Sequence, residues 1–148
     1  MNRYSKRFRS AVLLGALVLG GCGSGSDEGG AANKADWEEK HASAVTAVSQ
    51  DIDRTNQALN VGERAVLLSE CTQLSEDLAD AKKAVPAPDP AVDGALRSAF
   101  DAADAAAKQC IEGARIAGEA HLVEEAQRKM KTAREKMDAA ESALKAWQ

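Results

Sequence analysis

Few side chains in this sequence could carry chemistry: two histidines, three cysteines and three methionines among 148 residues. Glu38 precedes His41 by three residues, the spacing of the Glu-x-x-His motif in di-iron bundles. That chemistry needs two such pairs on facing helices, and no second pair exists. His41 and Met137 form the other candidate ligand site, because histidine and methionine together make a haem axial pair. In an antiparallel bundle the start of the first helix meets the end of the last, which would bring these two residues toward each other. The competing reading makes His41 an end-of-bundle residue beside Trp37 and Trp147, with Met137 as core filler. It is the one adopted, so no cofactor and no metal are expected. His121 lies off the apolar pattern and is expected in solvent. Gly-x-Ser-x-Gly, Cys-x-x-Cys-His and phosphate-binding glycine loops are absent from the sequence. The chain is therefore not expected to be an enzyme.

The elements that would position these residues are helical. All three prolines fall within Pro86-Ala87-Pro88-Asp89-Pro90, alanine is abundant and β-branched residues are few. Apolar residues recur at spacings of three and four in four segments. The first runs Trp37, His41, Val45, Val48, Ile52, Thr55, Leu59, and the second Leu67, Cys71, Leu74, Leu78, Ala81, Val85. The third is Val92, Leu96, Ala99, Ala103, Ala106, Cys110. The fourth, Val123, Ala126, Met130, Ala133, Met137, Ala140, Leu144, Trp147, alternates large residues with alanine, a pattern suited to close antiparallel helices. Breaks at Asn60-Val61-Gly62, at the prolines and between Gly113 and Gly118 separate the segments. Asp36 with Glu39 is a candidate capping box for the first helix. Gly62 and Gly113 lie at nearly equal distances on either side of Pro88, which predicts an all-α, antiparallel up-down-up-down four-helix bundle over residues 36–148. Its helices are expected at about 37–59, 63–85, 91–112 and 119–147. The alternative is a long antiparallel helical hairpin with both glycines inside continuous helices, which leaves more apolar surface uncovered.

The amino end has a different character. Arg3, Lys6, Arg7 and Arg9 precede an apolar run from Ala11 to Leu19, the layout of a secretory signal. The run falls short of the roughly 20 apolar residues of a membrane-spanning helix. Leu19-Gly20-Gly21-Cys22 then resembles the lipobox of bacterial lipoproteins. The resemblance implies cleavage after Gly21 and diacylglyceryl transfer to the Cys22 sulfur, with residues 1–21 as signal peptide. The partner so implied is a membrane, held through acyl chains on Cys22, at about 0.8 kcal/mol per buried methylene. Removing residues 1–21 takes four positive charges away, so the net charge moves from −4 to −8. An acidic domain is a poor nucleic-acid binder, and none is expected. Residues 22–35, the lipidated cysteine and GSGSDEGGAANKA, read as a flexible Gly/Ser-rich tether reaching roughly 20 Å.

Export changes the reading of the other two cysteines. Cys71 and Cys110 lie on apolar seams of neighbouring helices, and an oxidising compartment favours a disulfide between them over two buried thiols. Their distances from Pro88 differ by five residues, about 7.5 Å of helix rise, so the proline loop must be asymmetric for the bridge to close. On the fourth helix Arg128, Lys129, Lys131, Arg134 and Lys136 form a basic belt. It is a candidate dock for anionic headgroups or an acidic partner, or else a solvated face.

Lipobox, tether, alanine-rich helices and one cysteine on each side of the proline loop together resemble small membrane lipoproteins of actinobacteria. The resemblance implies a cell-membrane, lipid-anchored protein on the extracytoplasmic face. The expected function is a noncatalytic binding or envelope-interaction module with an envelope protein as partner. The alternatives are a ligand-, haem- or metal-binding bundle and a phage-type envelope exclusion lipoprotein.

Overall fold

Long stretches free of proline and rich in alanine, leucine, glutamate and lysine favour helix at nearly every position. The computed structural model describes residues 28–116 and 118–147, and four helices account for most of them: α1 Glu28–Val61, α2 Arg64–Ala81, α3 Pro90–Arg115 and α4 Ala120–Ala146. Each packs antiparallel to the next, and α4 returns to α1, closing the expected up-down-up-down bundle. The expectations for residues 1–21, for Leu19, Gly20, Gly21 and Cys22, and for the tether to residue 27 lie outside the described residues.

Every large residue of the α2 and α3 seams is buried except Val85, which is half-buried. Phe100 and Ala107 join them, so α3 buries a wider stripe than its seam alone. On α4, Met130 and Met137 alternate with Ala126, Ala133 and Ala140 in the core. Alanine at alternate positions leaves little volume between axes, which lets α3 and α4 approach closely. Gly113 marks how closely. A Cβ there would stand 3.2 Å from the Leu122 carbonyl carbon and 3.3 Å from the Val123 nitrogen.

Several boundaries differ from the expected ones. Residues 28–35, assigned to the tether, are helical and extend α1 upstream. Alanine at positions 31, 32 and 35 favours helix, and the Lys34 ammonium reaches the Trp147 carbonyl. Asp36 is thus inside a helix and caps nothing, so the proposed capping box does not form. The break between α3 and α4 is Gly118, with φ of 86°, and Gly113 lies within α3. Gly62, with φ of 75°, closes the α1–α2 turn. These two left-handed residues break the helices that the long hairpin would have kept continuous.

α2 ends earlier than expected, at Ala81, and a 3₁₀ turn over Lys82–Ala84 follows. Asp89 then caps α3, its Oδ1 accepting from the N–H groups of Ala91 at 2.8 Å and Val92 at 2.9 Å, with Pro90 as the first helical residue. From Cys71 to the end of α2 is about 15 Å of rise, and from the start of α3 to Cys110 about 30 Å. The 3₁₀ turn and the extended residues after it make up the difference. The Cys71–Cys110 disulfide therefore closes, with its α-carbons 6.0 Å apart and both residues buried.

Candidate functional site

The end of the bundle at which the chain enters α1 is closed by aromatic side chains. Trp37 donates its indole N–H to the Ala84 carbonyl at 2.9 Å, joining α1 to the proline loop. Its ring meets Trp147 edge-on at 5.6 Å between centroids and His41 at 5.5 Å. Beside this cluster, between α1 and α4, lies a cavity of about 300 Å³. Trp37, Val45 and Leu144 give it apolar walls, while Glu38, Ser49 and Glu141 bring polar groups to it.

The α1–α4 register decides the fate of the ligand pair. Trp37 stands level with Trp147, Ser49 Oγ donates to Glu141 at 2.6 Å, and Gln127 Nε2 donates to the Leu59 carbonyl at 3.2 Å. On this ladder Met137 is level with Ser49, eight residues from His41, or about 12 Å along the axis. The helices run antiparallel as expected, and the reading adopted for this pair holds, with His41 beside Trp37 and Met137 in the core. His41 rests half-buried on Trp37, Met137 is fully enclosed in the core, and neither lines the cavity. Among the described residues no three His, Cys, Asp or Glu side chains gather in a way that could hold a metal ion. His121 is exposed at the start of α4, its Nδ1 3.1 Å from Glu119.

The basic belt is not one surface. Arg134 turns back onto α1, its Nη1 donating to Ser49 Oγ at 2.9 Å and Asp53 at 3.3 Å, while Nη2 pairs with Glu141 at 3.0 Å and also with Asp138. Its side chain is only 22% exposed. Burial opposes the charge, but the hydrogen bonds to Asp138 and Glu141 and the field of Asp53 outweigh it, so the guanidinium pKa lies above the ordinary arginine value. Lys129 turns the other way, donating to Gln109 of α3 at 3.1 Å and pairing with Glu125 at 3.0 Å. The hydrogen bond from Lys129 is the main cause holding the Glu125 carboxyl below its usual range. Lys131 lines a second cavity with Asn56, Asn60, Gln127 and Glu135, and Arg134 borders the same cavity. Arg128 and Lys136 are exposed. Spacing along the helix found the cations, but the 100° rotation per residue spreads them around it.

Two features carried no sequence signal that was read. Asp51 is fully buried on α1; its Oδ1 is in contact with the Arg54 guanidinium, and its Oδ2 has no polar partner among the described residues. Arg54 also reaches Glu70 at 3.4 Å. The second feature is the far end of the bundle, where the α1–α2 and α3–α4 turns meet. Arg64 of α2 donates twice to the Ala114 carbonyl of α3, at 2.7 and 3.1 Å, tying the turns together. Around this tie stand Val61, 74% exposed, Ile116, 45%, and Val66, 41%, the exposed large apolar residues among those described.

Comparison of the chain with protein-family models, with curated proteins and with solved structures finds no match. No described helix is long and apolar enough to cross a membrane.

Proposed function

We propose that this chain is a lipid-anchored, extracytoplasmic, noncatalytic binding module whose bundle presents its far end to an envelope protein. The observation that carries this reading is that Val61, Val66 and Ile116, the exposed large apolar residues among those described, all lie toward one end of the bundle, opposite the end at which the chain enters α1. α1 is 34 residues long, about 51 Å, so a chain held at Cys22 displays those side chains well away from its anchor. Exposed apolar clusters on small proteins are commonly contact surfaces. The lipobox sequence Leu19-Gly20-Gly21-Cys22 supports the anchor, and the buried Cys71–Cys110 disulfide fits an oxidising compartment.

Two measurements test the parts separately. Cys22→Ser should abolish incorporation of labelled palmitate and move the protein from the detergent phase to the aqueous phase. An unchanged distribution refutes the anchor. A photo-crosslinking residue at Val66 or Ile116 should trap one protein of defined mass in cells, and the same residue at Ala139, exposed in the second half of α4, should not. Equal yields from both positions, or none from either, refute the far-end surface.

A further inference from the structure

The cavity between α1 and α4 carries two carboxylates in its lining, of which Glu141 is already paired with Arg134 at 3.0 Å. Glu38 is the other, while Trp37, Val45 and Leu144 supply apolar wall. Beside it the chain holds an ammonium group of its own. Lys34 Nζ lies 5.9 Å from the centroid of the Trp147 ring and 3.9 Å from Glu38, and donates to the Trp147 carbonyl. Carboxylate, aromatic face and apolar wall are the partners that recognise an organic cation.

We propose that this cavity binds a small organic ammonium ion, a substituted or quaternary amine carrying a short apolar or aromatic body. Glu141 already accepts from Ser49 and Arg134 through Oε1. Glu38, whose one recorded partner is Lys34 at 3.9 Å, is the freer carboxylate and takes the cationic head. The body of the ligand lies against Trp37, Val45 and Leu144. A volume of about 300 Å³ suits a ligand at the small end of the usual range. An anion of the same shape meets Glu38 and is disfavoured, since the Arg134 guanidinium is already taken up by Glu141, Asp138 and Ser49. This site is independent of the far-end surface, since one is read by ligand titration of the isolated chain and the other by crosslinking in cells.

Trp37 and Trp147 are the two tryptophans of the chain, so indole fluorescence reports on this end of the bundle. The probe is benzyltrimethylammonium, titrated into the full chain in zwitterionic phospholipid nanodiscs with empty nanodiscs as blank. Phenylacetate is the anionic counterpart. Saturable binding is expected with a Kd of roughly 0.1–5 mM, as befits so small a ligand. Phenylacetate should bind at least about tenfold more weakly, because its charge meets that of Glu38. Glu38→Gln should weaken the ammonium about three- to tenfold while leaving the unfolding midpoint in place, since its ion pair is long and half-exposed. No saturation, equal binding of phenylacetate, or an affinity unaltered in Glu38→Gln overturns the proposal.

Discussion

Asp51 and Arg54 stand one turn apart on α1, the acid fully buried and the base half in solvent. A buried carboxylate whose one partner is that neighbouring guanidinium has little else to offset its desolvation. Arg54→Met should therefore cost about 1–3 kcal/mol, less than for a wholly enclosed pair because Arg54 is partly hydrated. Asp51→Leu, alone or with Arg54→Met, should be neutral or stabilising if the core accepts the side chain. Urea unfolding of the three variants checks the order, and an Arg54→Met chain as stable as the wild type would mean that Asp51 finds another partner. Asp93 makes a pH prediction. Its hydrogen bond from Arg97 at 2.8 Å, then that from the Ala87 N–H at 2.9 Å, hold its carboxyl below the usual range. A pKa depressed by folding stabilises the protein above the unfolded value, and the contribution is lost as pH falls through the folded one. Thermal stability should thus drop below about pH 4, and Asp93→Asn should flatten that limb in a melt-versus-pH series.

Helix α3 holds two glycines in opposite circumstances. At Gly94 an added Cβ meets nothing within 4 Å, whereas at Gly113 it meets the backbone of α4. Gly94→Ala should stabilise by about 0.5–1 kcal/mol through the restricted unfolded chain. Gly113→Ala should destabilise by about 1–3 kcal/mol, because backbone atoms at 3.2 and 3.3 Å cannot move aside as a side chain would. Equal midpoints for the two would contradict the close α3–α4 crossing. These glycines also show what was legible at this scale. Gly113 reads as part of a break together with Gly118, because a turn glycine and a packing glycine look alike in sequence. Only Gly62 and Gly118 have the positive φ that a turn requires. Likewise Asp36 with Glu39 has the spacing of a cap, and lost that role because helix-favouring residues before it continue α1.

Over the whole molecule, the disulfide and the tryptophan cluster brace different parts. Cys71 and Cys110 are 39 residues apart, and closing that loop stabilises the chain by about 4 kcal/mol in the entropic model. Reduction, or Cys71→Ala with Cys110→Ala, should lower the unfolding free energy by that order; a difference under about 1 kcal/mol would show that the reduced chain already keeps α2 near α3. Trp37 joins α1, the proline loop and α4, so Trp37→Ala should cost about 3–5 kcal/mol and also remove most of the indole response at the α1–α4 cavity. Helix content, strand-free composition, seam residues and the pairing of the two cysteines followed from the sequence alone, because periodicity near 3.6 and the scarcity of proline are local properties. The register of α1 against α4 did not follow. It depends on Trp37 meeting Trp147 and on Arg134 reaching Ser49 and Asp53, contacts between residues more than eighty positions apart. That register separated His41 from Met137, drew Arg134 out of the basic belt, and set Glu38 and Glu141 around one cavity. Such placements are sums over every packed side chain in the bundle, and no single stretch of sequence contains them.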